Sequence, residues 1–561
     1  MSLPRPGPRT ALALALAAGA AYRLVSFVAN PSLPVDDAML ALNVASRSYG
    51  ELLQPLDYAQ TGPPLFLWAL RLAIGLGGVN EFALRALPLL AGLVLPLVVW
   101  QVARRLIDPG AALVAAWFVA LSPILIKFSF VVKPYELDAL ITLGVIGLAL
   151  DVLERPDRLV GWWALGASGV VAILASTPVV FVLAGVGAAL VVAPRGARWA
   201  AQYGRLASVG AVWVGVFALT YAALYDDIAR GAYMQQFWAS GLLGGESAGS
   251  SDRAVALVAR IPLQAFDAPR VPTLAALPFW ALMVAGWVYL RRRHGLGVLL
   301  LFTVSLVAAL GAAAARRYPV SPRLFLFAAP LVILSLVAGL AAARERWPGR
   351  GPRWALSAVV TLWLLTLGGL ALKRPYRGKG MRHVTAEFAR RQRGEPVYVY
   401  AGAVPAWAFY TTDWARPDTA RLRFLAGVAG AGGSAFHNAP SRGRPVAPDE
   451  GDGLWVCTGG RLELLGLPTG MQARERTGFS QRGADTGWAD REAERIAGVA
   501  PDVWLVFANI YPTTLPDLQG ALRRRGGELV AAREERGAKL YRYRFAEASW
   551  RNTYSRIPPC R

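Results

Sequence analysis

Cysteine and histidine are nearly missing from this chain. Two cysteines, Cys457 and Cys560, and three histidines, His294, His383 and His437, are all that 561 residues contain. There is no Cys-x-x-Cys, and the histidines stand far apart in sequence. Zinc ribbons and His-rich catalytic metal centres are therefore excluded as the basis of function. Both cysteines lie in the last third, where they could form a disulfide if that part faces an oxidising compartment. Charge is scarce as well, at 17%, against about 25% in soluble proteins. No repeat of about 20–50 residues is evident, which excludes solenoids and propellers.

What fills the chain instead is apolar. Hydrophobic residues make up 55%, and the mean hydropathy is +0.39. Apolar runs fall at residues 9–29, 82–103, 110–127, 136–153, 161–176, 178–194, 206–225, 272–290, 296–315, 322–342 and 354–372. Each is near the ~20 residues that cross a hydrocarbon core of ~30 Å. This predicts a polytopic α-helical membrane protein of about eleven spans. The first run, "ALALALAAGAAYRLVSFVAN", has the look of a signal peptide, with Arg5 and Arg9 before it. Arg23 interrupts it, however, and no clean small-residue cleavage site follows, so it reads as an uncleaved first span.

The formal charge of +23 does not point to nucleic acid. The basic residues sit in short clusters between apolar runs. Arg104 and Arg105, Arg155 and Arg158, Arg195 and Arg198, Arg291 to Arg293, and Arg344 to Arg353 fall in alternate loops. By the positive-inside tendency these loops and the N-terminus face the cytoplasm. Segments 30–80 and 226–271, and everything after 373, then face outward. The basic stretch "KRPYRGKGMR" (Lys373 to Arg382) runs against that alternation, but long translocated domains largely escape the charge rule. It could touch anionic head groups or a phosphate, or serve as a solvated linker.

Beyond residue 380 the texture changes. "EPVYVYAG" and "PDVWLVFAN" read as short buried strands. "LPDLQGALRRRGGELV" reads as a helix passing through Gly526 and Gly527 into a strand, and "AKLYRYRF" as an exposed strand. These predict an outward α/β domain over 373–561, joined to a membrane part over 1–372. The Gly- and Pro-rich stretch "AGVAGAGGSAFHNAPSRGRPVAPDEGDG" interrupts it as a loop.

Many of the membrane part's acids gather in or beside the outward loops, among them Asp36, Asp37, Glu51, Asp57, Glu81, Glu136, Asp138, Asp226 and Asp227. Chemistry, if present, is outside. The first such loop reads "VDDAMLALNVASRSYGELLQPLDYAQTGPPLFLWALRLAIGLGGVNEFALRALPLLAGL". It joins acids at a helix exit, an amphipathic stretch, a Tyr-x-Gln turn, a Pro-Pro apolar patch and a Glu-Arg pair opening the next span. It resembles the first extracytoplasmic loop of polyprenyl-phosphate-sugar-dependent glycosyltransferases with the type C membrane fold. Bacterial relatives of this kind are the protein O-mannosyltransferases and the lipid A aminoarabinose transferases. "SPILIKFSFVVKPYELDALITL" and "RRYPVSPRLFLFAAPLVIL" extend the resemblance, which covers about residues 10–345. It implies a bacterial inner-membrane enzyme that moves a sugar from a polyprenyl phosphate, with inversion, to an extracytoplasmic lipid, glycan or protein. Membrane lipids are the other partners it implies, and no nucleic acid.

Such a transfer needs a base for the acceptor proton and cations for the departing phosphate. Asp36 and Asp37 are the catalytic candidates. On a helix their side chains diverge by ~100°, so only one faces a cleft; the resemblance favours Asp36. The alternative is that Asp37 or both simply begin the helix, as first-turn acids favoured by the helix dipole. Lys133, Arg317 and Arg323 are the candidate phosphate ligands. Arg323 follows Pro322 as in the family's proline-arginine motif, and Arg suits bidentate phosphate contact. Tyr58, Gln60 and Tyr135 are candidate substrate contacts. Glu81 and Arg85, spaced i, i+4, can pair on one helix face and shape the site. Relatives often carry His or Lys directly before the Pro-Pro patch, and here that residue is Gly62. The acids could hold a divalent metal, although a carboxylate alone can act as base. The alternative reading is a transporter or flippase for lipid-linked sugars, which would place ionisable residues at mid-bilayer and show repeated halves.

Overall fold

A computed structural model describes residues 7–193, 198–243, 250–266, 272–373, 380–431, 455–458, 461–466, 487–510 and 514–546. Helices occupy all eleven apolar segments. They are α1 (Pro8–Val28), α4 (Glu81–Leu106), α5 (Pro109–Leu121) continued by α6 (Pro123–Phe128), α7 (Tyr135–Glu154), α8 (Leu159–Ala175), α9 (Val179–Val192), α10 (Trp199–Leu224), α15 (Leu277–His294), α16 (Leu296–Ala314), α17 (Ala329–Arg346) and α18 (Arg350–Lys373). Among the described residues seven helical segments are long and apolar enough to cross a membrane, and four further apolar helices are shorter. The protein is a multi-pass membrane protein. Local chemistry sets the ends: Asn80 caps α4 by accepting from the Ala83 N–H at 3.0 Å, and Asp108 caps α5 ahead of Pro109.

The charge that interrupts the first run is buried by design of the packing. Arg23 is fully buried and donates to the Ala120 carbonyl at 3.0 Å and the Gly19 carbonyl at 3.2 Å. Its guanidinium lies 3.6 Å from buried Glu136. This pair joins α1, α5 and α7 near the C-terminal end of α1 and the N-terminal end of α7. Gly92 makes room for it, because a Cβ there would stand 2.8 Å from Arg23 Nε and 2.7 Å from Ser129 Cβ.

Segment 30–80 is more structured than a loop. It holds α2 (Val35–Ser46), two 3-10 turns and α3 (Pro64–Gly77), so the Pro-Pro patch opens a fourteen-residue apolar helix. Among the described residues, segment 226–271 carries four short helices, α11 (Asp226–Arg230), α12 (Ala232–Phe237), α13 (Ser250–Ala259) and α14 (Ile261–Gln264).

The tail is an α/β domain around a six-stranded sheet ordered β2-β3-β1-β4-β6-β5. The strands are β1 (Val397–Val399), β2 (Trp455–Thr458), β3 (Arg461–Leu465), β4 (Asp502–Ala508), β5 (Glu528–Glu535) and β6 (Ala538–Arg544). The central strand β1 runs parallel to β3 and β4, and the flanking pairs are antiparallel. Helices α19 (Met381–Arg391), α20 (Val404–Thr411), α21 (Thr419–Ala431), α22 (Trp488–Ala497) and α23 (Thr514–Arg524) accompany it. "AKLYRYRF" is not an exposed strand: it forms β6, inside the sheet, with Leu540, Tyr541 and Tyr543 buried. Cys457 lies in β2, while Cys560 and most of the Gly- and Pro-rich stretch lie outside the described residues.

Two cores divide the molecule. One is the membrane bundle from α4 to α18. The other is shared: Leu33, Ala38, Met39 and Leu42 of segment 30–80 pack with Phe388, Trp407 and Phe409 of the tail.

Candidate active site

Helix α2 starts after Pro34, whose backbone is extended, and carries Asp36 and Asp37 in its first turn. The expected divergence of the two aspartates is observed. Asp36 is 38% exposed at its side chain and faces a cleft. Asp37 is 2% exposed and turns inward, where its Oδ2 accepts the Val132 N–H at 3.0 Å. Burial pushes the Asp37 carboxyl up to about 6, against the pull of that N–H and of Lys133 and Arg85. Asp37 thus ties α2 to the segment that delivers Lys133.

Lys133 is buried, and its Nζ donates to Gln60 Oε1 at 2.6 Å. Burial lowers its pKa, while Asp36 and Asp37 oppose that shift. Gln60 ends a 3-10 turn, Asp57–Ala59, in which Tyr58 and Ala59 have φ of 60° and 49°. Two successive side-chain-bearing residues in the left-handed region are costly. Asn43 of α2 holds the turn: it accepts from the Asp57 N–H at 2.8 Å and donates to the Asp57 carbonyl at 3.2 Å. Gln60 and Asp36 are therefore positioned by the same helix.

Arg323 reaches the cleft from the approach to α17. Its Nη1 lies 3.0 Å from Asp36 Oδ2, and its guanidinium stacks 4.7 Å above the Trp238 ring. The candidate base and the candidate phosphate ligand are thus in direct contact. Arg317 stands on another part of the rim, 3.7 Å from Asp226.

The cleft has a volume of about 670 Å³ and is lined by Asp36, Tyr58, Gln60, Lys133, Tyr135, Arg317 and Arg323, with aromatic walls from Phe217, Tyr221, Phe237 and Trp238. Gly62 lines it too, leaving that position without a cation. Asp37, Glu81 and Arg85 stand outside it. The i, i+4 pairing expected of Glu81 and Arg85 is replaced by longer-range partners. Glu81 accepts from Arg382 Nε at 2.9 Å and from Tyr410 Oη at 2.7 Å. Arg85 donates to Asn30 Oδ1 at 3.0 Å. Tail residues had outcompeted a helix neighbour, which sequence spacing cannot reveal.

Sequence reasoning passed over Asp138 as a site residue. It is 4% exposed, lines the cleft, and its Oδ1 has no hydrogen bond among the described residues. The signal was available, because a carboxylate in the first turn of an apolar span is expensive unless it serves a site. Trp238, the platform under Arg323, carried no such signal. Among the described residues no three His, Cys, Asp or Glu side chains are grouped to hold a metal ion.

A family model described as dolichyl-phosphate-mannose-protein mannosyltransferase matches residues 61–222. No curated protein matches in sequence. Two solved structures of ArnT from Cupriavidus metallidurans align along 94% of this chain and 97% of theirs. The apo state is 15% identical with a TM-score of 0.50. The form bound to undecaprenyl phosphate is 14% identical with a TM-score of 0.52. The fold is of the type C membrane glycosyltransferase class. An oligosaccharyltransferase from Archaeoglobus fulgidus, in complex with zinc and sulfate, is 14% identical over 71% of this chain and 61% of its own, at a TM-score of 0.43.

Proposed function

We propose that this protein transfers a sugar from a polyprenyl phosphate to an acceptor outside the cytoplasm, with inversion at the anomeric carbon. The observation that carries this reading is the contact of Asp36 with Arg323 in a cleft that also holds Lys133. The family match over 61–222 and the fold shared with a protein crystallised with undecaprenyl phosphate support it.

The donor is a phosphodiester with one negative charge. As the acceptor oxygen or nitrogen attacks the anomeric carbon, the bond from that carbon to the phosphate oxygen breaks, and polyprenyl phosphate leaves with both electrons. The phosphate gains a second charge in the process, which Arg323 and Lys133 would stabilise. Asp36 takes the acceptor proton. Arg323 is engaged by Asp36. An arriving phosphate draws the guanidinium toward itself and releases the carboxylate as base, so donor binding activates the catalytic group. Attack opposite the leaving phosphate inverts the centre. Tyr58, Gln60 and Tyr135 would bind sugar hydroxyls, and the aromatic walls would receive the first isoprene units.

Intramembrane charge gives a transporter no comparable support. Arg23 lies five residues from the end of α1, about 8 Å along the helix, and Arg23 and Glu136 are absent from the cleft lining. Mass spectrometry of lipids co-purifying with the protein tests the proposal. A polyprenyl phosphate, with or without its sugar, is expected. A preparation that neither retains one nor consumes an added polyprenyl-phosphate sugar would refute it.

A further inference from the structure

The helix that carries Asp36 belongs to the hydrophobic core of the tail as much as to the membrane bundle. Helix α2 packs chiefly on α20 of the tail, and α21 packs on the turn that holds Tyr58. Its buried face, Ala38, Met39 and Leu42, sits in the core with Trp407 and Phe409. A polar tie fixes the chain where it leaves α1 for α2. Arg382 donates to the Asn30 carbonyl at 2.9 Å, to Glu81 Oε1 at 2.9 Å, and through its backbone N–H to Ser32 Oγ at 3.1 Å. Tyr410 Oη accepts the Leu33 N–H at 2.7 Å and donates to Glu81 at 2.7 Å. Asn30, Ser32 and Leu33 are thereby held by Arg382 and Tyr410 of the tail, and Glu81 of α4 accepts from both of those side chains. The tail end of the tie is itself anchored, since the Gly380 N–H donates to the Arg536 carbonyl at 2.9 Å in the β5–β6 turn.

We infer that Arg382 and Tyr410 are positioning residues through which the tail sets the placement of Asp36 against Arg323 and Lys133. The tail is then part of the catalytic machinery, independent of any acceptor it recognises. The physical reason is that α2 has twelve residues. A helix that short is marginal by itself, and here it must hold one carboxylate within hydrogen-bond range of a residue 287 positions away. A shift of about 1 Å in such a group can cost ~10²-fold in rate.

This inference rests on the transferase reading, and its test separates the two. Arg382→Ala and Tyr410→Phe are made in the full-length protein, the latter being isosteric and the safeguard should the former fail to fold. Hydrogen exchange of residues 33–46 is measured together with transfer from a polyprenyl-phosphate sugar. The expected result is at least tenfold faster exchange over 33–46, with kcat down at least tenfold and KM for donor and acceptor within threefold. Arg382→Lys, which keeps the charge beside Glu81, should recover most of kcat. Unchanged exchange in both variants would overturn the inference, as would a raised acceptor KM at normal kcat, which is the mark of a tail that only recruits acceptor. If the transferase reading itself is wrong, the wild-type protein consumes no polyprenyl-phosphate sugar while the exchange difference persists.

Discussion

Replacing Asp36 by Asn separates catalysis from binding at one atom. The change keeps the shape of the side chain and removes the charge that meets Arg323 at 3.0 Å. Little stability is at stake. The pair is partly exposed, at 29% and 38%, and such pairs are worth at most ~1 kcal/mol. Transfer should fall by ~10²–10⁴-fold, the usual contribution of a general base, which corresponds to about 3–5 kcal/mol of barrier. The geometry adds a second signature. Arg323 no longer divides its charge between carboxylate and phosphate, so donor KM should hold or decrease while kcat collapses. Steady-state transfer with a radiolabelled polyprenyl-phosphate sugar reads both constants. A kcat within threefold of wild type would remove Asp36 from the base role. A donor KM raised more than tenfold would refute the exchange of Arg323 between Asp36 and phosphate.

Arg323→Ala should do the reverse, raising donor KM about 10–100-fold, since a charge-assisted contact is worth ~1.5–3 kcal/mol, with the smaller effect on kcat. Asp37→Asn should keep the bond to Val132, because the amide oxygen accepts as well, and should alter pH dependence instead. The native Asp37 carboxyl titrates near 6, above its ordinary 3.8. The folded state therefore holds this proton more tightly, and the stability it confers is present below pH ~4 and lost as pH rises through 6. At ~1.4 kcal/mol per unit the loss is about 3 kcal/mol, so thermal melts should decline from pH 4 to 8 in wild type and less in the variant. An equal slope in both would contradict the burial of that carboxyl. The sidedness read from loop charges predicts that a cysteine at exposed Arg393 reacts with an impermeant thiol reagent in cells with a permeable outer envelope. Protection there would invert the topology.

The parts of this protein that composition dictates were readable in advance. A span must satisfy its backbone internally and match the bilayer in length, so apolar runs became helices at all eleven places. The divergence of Asp36 from Asp37 follows from helical pitch alone, and one faces the cleft while the other is buried. What could not be read depends on partners far along the chain. Glu81 has Arg85 one turn away, yet bonds to Arg382, 301 residues distant. A local rule says which pair can meet, and it is silent on a competitor delivered by another domain. The error over β6 has the same origin. Alternation of Tyr and Arg in "YRYR" signals one wet face, but the strand is hydrogen-bonded on both sides by β4 and β5, with its tyrosines buried and Arg542 drawn to Glu395 at 2.9 Å. The arginines keep to the wetter face, with Arg542 22% and Arg544 54% exposed, so the alternation is real while the strand's place inside the sheet is not legible from it. Pairing across sequence distance thus explains both misreadings, and it also brings Asp36 to Arg323. The helix pitch that aims Asp36 at the cleft is local, while its partner comes from 287 residues away. Either half alone leaves a carboxylate without a reason to be there.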